Sequence, residues 1–243
     1  MRHRLRLLTL FALTGLAACA PEGPSAFVTF NLKPPATCVF TRDASSIALP
    51  TGLYDISGAL KAADNDDPQT VTDCARPYYV HLQVNSFLRS NSDAMLGRAE
   101  PNILQLDRAE VRLMDLQKRT IVFGSGANQL FNPFLVTTND TLTPASDTSA
   151  SLGIATVEAI PVAYASFLKM FTGQQILAEV QIFGSTTGDV DIDFKPFVYP
   201  IEICKDCLRR CVDSLDDPDS FTKDDECNDN AGADGRACVD TKC

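Results

Sequence analysis

Between Phe27 and Cys204 apolar and polar residues alternate with a period of two, segment after segment. In Tyr78 to Asn85, the residues Tyr78, Val80, Leu82 and Val84 share one face, while His81, Gln83 and Asn85 share the other. A chain in which alternate side chains point to opposite faces reads as a half-buried β-strand. Ile176 to Phe183 repeats the pattern, with Ile176, Ala178, Val180 and Ile182 opposite Glu179 and Gln181; Val190 to Lys195 and Ile201 to Cys204 repeat it again. Shorter strands are predicted at Phe27 to Leu32, Thr37 to Thr41, Leu53 to Ser57, Ala109 to Leu116, Phe134 to Thr138 and Ile154 to Ile160, each bounded by Gly, Pro, Asn or Asp. Many short strands without crossover helices between them predict a mainly β chain built as an antiparallel β-sandwich.

One segment breaks the period. Pro161 suits the first turn of a helix, Val162, Ala165, Leu168 and Phe171 follow at three-residue intervals, and Gly173 can close the end. One short helix of about three turns is expected to cap or cross the sandwich. Its aromatic residues read as core.

The first residues follow neither pattern. Met1-Arg-His-Arg-Leu-Arg6 is basic, and Leu7 to Leu16 is apolar and uncharged. That run is shorter than the roughly 20 residues a membrane-spanning helix needs, so it reads as a signal peptide. Leu16-Ala17-Ala18-Cys19 resembles the lipobox of bacterial lipoproteins. The resemblance implies cleavage before Cys19, a diacylglyceryl group on its thiol and acylation of the new amino group. Two or more acyl chains anchor stably where one is marginal, so Cys19 is the expected membrane anchor. Ala20 to Ser25 contains two prolines and a glycine and reads as a tether. In the lipoprotein sorting pattern, Ala20 in place of Asp implies the outer membrane.

The expected organisation is therefore a signal peptide over 1–18, a lipidated tether over 19–26, a β-sandwich domain over 27–203 and an acidic Cys-rich tail over 204–243. Within the body, Ile160-Pro-Val-Ala-Tyr164, Ile182-Phe-Gly184 and the run from Tyr199 through Cys207 to Leu208 resemble lipoproteins of predatory and soil bacteria with large exported repertoires. That resemblance implies architecture and location and carries no activity.

Charge narrows the partners. Loss of Arg2, Arg4 and Arg6 with the signal peptide leaves 18 basic against 31 acidic residues, a net charge near −13. A phosphate backbone is repelled by such a chain, so nucleic acid is excluded as a partner. Acylated Cys19 is then the expected contact with membrane lipid.

Nine cysteines minus Cys19 leave an even eight: Cys38, Cys74, Cys204, Cys207, Cys211, Cys227, Cys238 and Cys243. In an exported chain an even set predicts disulfides. Cys38 with Cys74 is the economical pair in the body, and the six in the tail allow fifteen connectivities. Between Cys204 and Cys243 there are eleven acidic and six basic residues and few aliphatic ones, so cross-links must supply the order of this small disulfide-rich appendage. Asp224-Asp-Glu-Cys227, with Gly232, Gly235, Cys238 and Cys243, is similar to small Cys-rich surface modules, without their tandem repetition.

Sharper chemistry finds weaker support. Cys204-x2-Cys207 has one edge of a zinc tetrahedron, but no histidine and no second close pair follows. A thioredoxin-like role needs such a pair at a helix start, whereas this one ends a predicted strand. The aspartates of the tail crowd together without an EF-hand register, so calcium binding through the tail stays an alternative rather than an expectation. After signal removal His81 is the sole histidine, placed on the outer face of its strand with no nucleophile elbow nearby. Gly184-Ser-Thr-Thr-Gly188 has Thr at the centre of its five residues, and a turn explains its glycines. Glu100, Asp107, Glu110 and Asp115 read as charges on an edge strand.

No catalytic residue, metal or cofactor is therefore predicted. The expectation is a non-enzymatic, lipid-anchored envelope protein that presents loops to a protein or glycan partner. The alternatives are an assembly component of an envelope complex and a calcium-binding module. An exposed apolar patch on the sandwich would favour a protein partner.

Overall fold

The computed structural model describes residues 25–35, 39–43, 46–56, 77–89, 102–146, 149–205, 207, 209–210 and 228–229. The signal peptide, Cys19 and the tether up to Pro24 lie outside the described residues, as do Cys38, Cys74, Cys211, Cys227, Cys238 and Cys243.

The fold is mainly β, with two packed sheets. In chain order the strands are β1 (Ala26–Asn31), β2 (Gly52–Asp55), β3 (Tyr78–Ser86), β4 (Leu104–Met114), β5 (Phe134–Leu142), β6 (Ser151–Ile160), β7 (Gln174–Thr186), β8 (Asp191–Asp193) and β9 (Phe197–Cys204). One sheet has the order β1-β3-β6 and the other β2-β9-β7-β4-β5, with β8 added against β7. All pairings in the two sheets are antiparallel except β2 with β9, which run parallel. Two short strands of the tail, β10 (Arg209–Arg210) and β11 (Asn228–Asp229), pair antiparallel.

The alternation read from the sequence is the burial pattern of the strands. Tyr78, Val80, Leu82 and Val84 of β3 face Ile176, Ala178, Val180 and Ile182 of β7 across a core that also takes Val157 of β6 and Ile201 of β9. At roughly 25 cal/mol per Å² of apolar surface removed from water, such a layer dominates the stability of the fold. In β4 the phase slips: Leu104 and Leu106 are buried at even positions, Ala109, Val111 and Leu113 at odd ones. The register shift between Leu106 and Arg108 is a β-bulge, whose extra residue restores the apolar face toward the core.

Three expectations are corrected. The segment Val39 to Thr41 forms no strand; it crosses the outer face of the three-stranded sheet as irregular chain. The helix after Pro161 is one α-helical turn, α1 (Val162–Ala165), continued by a 3₁₀ turn over Phe167–Phe171. Intervals of three residues match the 3₁₀ period of 3.0 better than the α period of 3.6, and Gly173, at φ 77°, closes the segment as expected. Third, Gly184 lies inside β7, where an added Cβ would stand 2.4 Å from the Gln105 carbonyl oxygen; the turn that follows uses Asp189 at φ 56° instead.

Strand registers fix two ends of the molecule. At one end lie Ala26, Ser86 and Ser151 of the first sheet, and Leu104, Leu142 and Thr186 of the second. At the other lie Tyr78 and Ile160, with Met114, Leu177, Gln174 and Ile203. The nine residues of β3 separate the ends by about 30 Å. β1 begins at Ala26 at the first end, directly after the segment expected to act as a tether; the first is named the tethered end on that expectation and the second the distal end.

Candidate functional site

The distal end is assembled from the β4–β5 connection (115–133), α1 with its 3₁₀ turn, and the end of β9. An aromatic cluster joins the first two. Phe123 packs edge-on against Tyr164 and Phe167, with ring centroids 4.9 and 6.3 Å apart, and Phe134 lies 5.0 Å from Tyr164. Tyr164 donates its hydroxyl proton to the Phe131 carbonyl. Burial pushes the Tyr164 pKa up, in keeping with a phenol that acts only as a hydrogen-bond donor. Asn132 donates through Nδ2 to the carbonyls of Leu113 and Ile121, each at 2.8 Å, and accepts the Leu113 N–H at 2.9 Å. The connection is thereby pinned on both sides of its turn.

Large apolar side chains stand out from this rigid base. Phe131 is 83% exposed, Met170 74% and Val122 70%, and Leu116 is exposed beside them in sequence on the same connection. Their backbones are held by the aromatic cluster and by Asn132, so the exposed side chains are displayed by an ordered support. Surface hydrophobic residues scattered singly need no explanation; these four lie on two segments joined by the aromatic cluster. The sequence pointed to loops as the presenting elements; it did not single out Phe131 or Met170, because exposure of one residue in a short irregular segment leaves no periodic trace.

At the same end, Cys204 and Cys207 are joined by a disulfide. Cys204 closes β9 in parallel register with Asp55 of β2. The Cys204 sulfur is 3.5 Å from the Tyr54 carbonyl oxygen, and the Ile56 N–H donates to the Cys204 carbonyl at 3.0 Å. Asp55 and Cys204 are buried and Cys207 is exposed; a carboxylate oxygen of Asp55 and the two sulfurs lie within 4.8 Å of one another. Nothing in the sequence joins Asp55 to the cysteine pair, since the two are brought together only by the parallel pairing of distant strands.

His81 is covered rather than open to solvent. Its ring packs on Phe40 at a centroid distance of 4.1 Å, and Nδ1 is 3.1 Å from the Thr156 hydroxyl. Burial lowers its pKa to about 4, so the imidazole is neutral at physiological pH. The outer face of the strand, where the sequence places His81, is covered here by the chain around Phe40. On the same face Glu158, paired with Tyr79 in the ladder, is pushed up by burial, and its charge joins burial in raising the Tyr79 phenol.

The acidic group also changes meaning. β4 lies between β5 and β7, so Asp107 and Glu110 are on an inner strand and not an edge. Arg112 pairs with Glu179 at 3.0 Å and Glu110 at 3.4 Å; Asp107 pairs with Arg108 at 3.5 Å. Asp115, held below the usual carboxylate range mainly by the backbone N–H of Arg119 and also by its guanidinium, closes the turn after β4. Asp107 and Glu110 thus pair within β4, Glu179 pairs across strands, and Asp115 ties its turn. Glu100 lies outside the described residues.

No family model and no curated protein matches the chain. Among solved structures the chain is similar to a putative late embryogenesis abundant (LEA) protein determined in solution, at 13% identity and a TM-score of 0.29, over 79% of this chain and 75% of that one. Among the described residues no helix is long and apolar enough to cross a membrane.

Proposed function

We propose that the protein is a lipid-anchored binding module of the bacterial outer membrane, tethered through acylated Cys19 and presenting its distal end to a protein partner. One observation carries this reading: the exposed Phe131, Met170, Val122 and Leu116 stand at the end of the sandwich opposite the strand that the tether enters. About a β3 length, roughly 30 Å, from the start of β1, apolar side chains on an ordered base would face away from the membrane, where a second protein can cover them. The strongly acidic surface keeps the module soluble around that patch and turns it away from nucleic acid. The role is binding, with the tail as a second presenting element.

Two measurements test it. The intact mass of the purified native protein should correspond to a chain that begins at Cys19 and carries acyl groups; a product that keeps residues 1–18, or has no acyl mass, overturns the anchor. Capture from detergent-solubilised membranes should recover a protein partner with the wild-type chain and lose it with the Phe131→Ser/Met170→Ser variant. A partner recovered in fixed stoichiometry and unaffected by that variant would instead favour an assembly component that uses another surface.

A further inference from the structure

We propose that the Cys204–Cys207 disulfide is an exchangeable redox centre that oxidises accessible protein dithiols, with Asp55 as the proton carrier for its buried sulfur. The inference does not require the apolar patch to bind anything.

The bond has little to hold in place. It spans a sequence separation of three, so it restricts the unfolded chain far less than a long-range cross-link. The end of β9 is already fixed by four ladder positions against β2, by the Ile56 N–H on the Cys204 carbonyl at 3.0 Å and by the Gly173 N–H on the Ile203 carbonyl at 2.8 Å. A structural staple here would duplicate that ladder.

The two sulfurs differ as an exchange reaction requires. Cys207 is exposed and open to an attacking thiolate, while Cys204 is buried and shielded. The surroundings of Cys204 suit its reduced form: the Tyr54 carbonyl oxygen, 3.5 Å from Sγ, can accept a thiol hydrogen, and the buried Asp55 carboxyl lies within 4.8 Å of both sulfurs. Cys204 ends a β-strand, so this pair departs from the helix-start arrangement that usually activates a Cys-x2-Cys motif.

The step balances. A thiolate of the partner attacks Cys207 Sγ; the Cys204–Cys207 bond breaks as the mixed disulfide forms, and Cys204 leaves as a thiolate that takes up one proton by way of Asp55. The partner's second thiolate then attacks its own sulfur in the mixed disulfide, releasing the Cys207 thiolate. The partner loses two electrons and gains a disulfide, and the cysteine pair gains the two electrons as a dithiol. A small-molecule disulfide, by the reverse exchange, restores the bond.

The test uses the full mature chain and a synthetic peptide with two thiols, followed by differential alkylation and mass spectrometry of the peptides containing Cys204 and Cys207. The wild-type chain should oxidise the peptide and yield free thiols at these two positions. With a disulfide-containing probe peptide, Cys204→Ser should accumulate a mixed disulfide at Cys207, at least about tenfold faster than Cys207→Ser accumulates one at Cys204. Asp55→Asn should slow peptide oxidation about tenfold and flatten its dependence on pH, and Asp55→Glu should restore both. Should Asp55→Asn fail to fold, the asymmetry between the two cysteine variants still decides. The idea is overturned if the bond stays closed to the dithiol peptide, if both cysteine variants react alike, or if a folded Asp55→Asn chain keeps the wild-type rate and pH profile. It is also overturned if the reduced chain binds one zinc ion tightly enough to block reoxidation, since the three groups would then be a metal clip.

Discussion

The two ends of the sandwich are closed by different chemistry. At the tethered end the closures are polar: Asp140 accepts the Ile154 N–H at 2.6 Å and pairs with Arg42, which also reaches the Thr141 carbonyl at 3.2 Å. The turn after β7 is tied by Thr186 and Val190, the β5–β6 connection by Ser146 and Ser149, and Ala145 donates to the Leu88 carbonyl at 2.8 Å. Gly153 completes that corner, because a Cβ there would come within 2.6 Å of Leu142 and 2.9 Å of an Asp140 oxygen. At the distal end the closure is an aromatic cluster, and beyond it apolar side chains remain in contact with water. The tethered end also exposes Phe87 and Val190, but its connections are tied by side-chain hydrogen bonds, whereas the exposed residues of the distal end stand beside an aromatic cluster.

Loss of that cluster should be the largest effect. Phe123 is 1% exposed and its ring meets two others, so Phe123→Ala should cost about 3–5 kcal/mol in denaturant unfolding. A cost below about 1 kcal/mol would mean that the aromatic cluster does not hold this end.

The segment that crosses the three-stranded sheet should respond to acid. It rests on His81 through Phe40 and reaches the tethered end through Arg42. The folded-state pKa of His81, about 4, is below the unfolded value near 6.5, so below pH 6.5 the unfolded chain binds a proton that the folded one refuses. Stability contributed by the neutral ring is full above pH 6.5 and is lost as pH falls toward 4, by roughly 3 kcal/mol at most. His81→Gln should remove that slope relative to the wild type in unfolding titrations between pH 4 and 7. Parallel slopes for both chains would show that burial does not perturb His81.

The polar closure should give a smaller effect. Asp140→Ala strands the Ile154 N–H and the Arg42 guanidinium, which should cost about 1–3 kcal/mol and raise hydrogen exchange at Ile154 first. Early exchange at the 115–133 connection instead would contradict the separation of the two ends.

Much of the strand layout is legible in the sequence, and the reasons differ by residue. Strand positions such as Val80, Val180 and Ile201 are buried on one side and wet on the other, and period-two spacing reports that directly. The N-terminal half of β4 escaped because the bulge near Asp107 reverses the phase between Leu106 and Ala109. The cover over His81 and the inner position of β4 escaped for a related cause: alternation tells which face a side chain takes, but neither what covers that face nor which strand lies beside it. Phe40 over His81, β5 and β7 flanking β4, and Asp55 beside Cys204 are all products of long-range pairing. The sequence leaves the Cys204–Cys207 bond undecided among the fifteen connectivities of the tail, because spacing alone does not choose between them.

The smallest effect on stability falls on the residues proposed to matter most for binding. Phe131 and Met170 are largely in water, so replacing both by Ser removes little buried apolar area and should change unfolding free energy by no more than about 0.5 kcal/mol. Ser lacks the ring and the thioether that a partner would bury, yet the Phe131 carbonyl that receives the Tyr164 hydroxyl belongs to the backbone and survives the change. The aromatic cluster should therefore stay folded while the display is erased. Denaturant midpoints of the wild-type and variant chains should coincide. If the variant instead unfolds about 2 kcal/mol earlier, Phe131 and Met170 support the distal end rather than extend from it, and the two ends differ in packing alone.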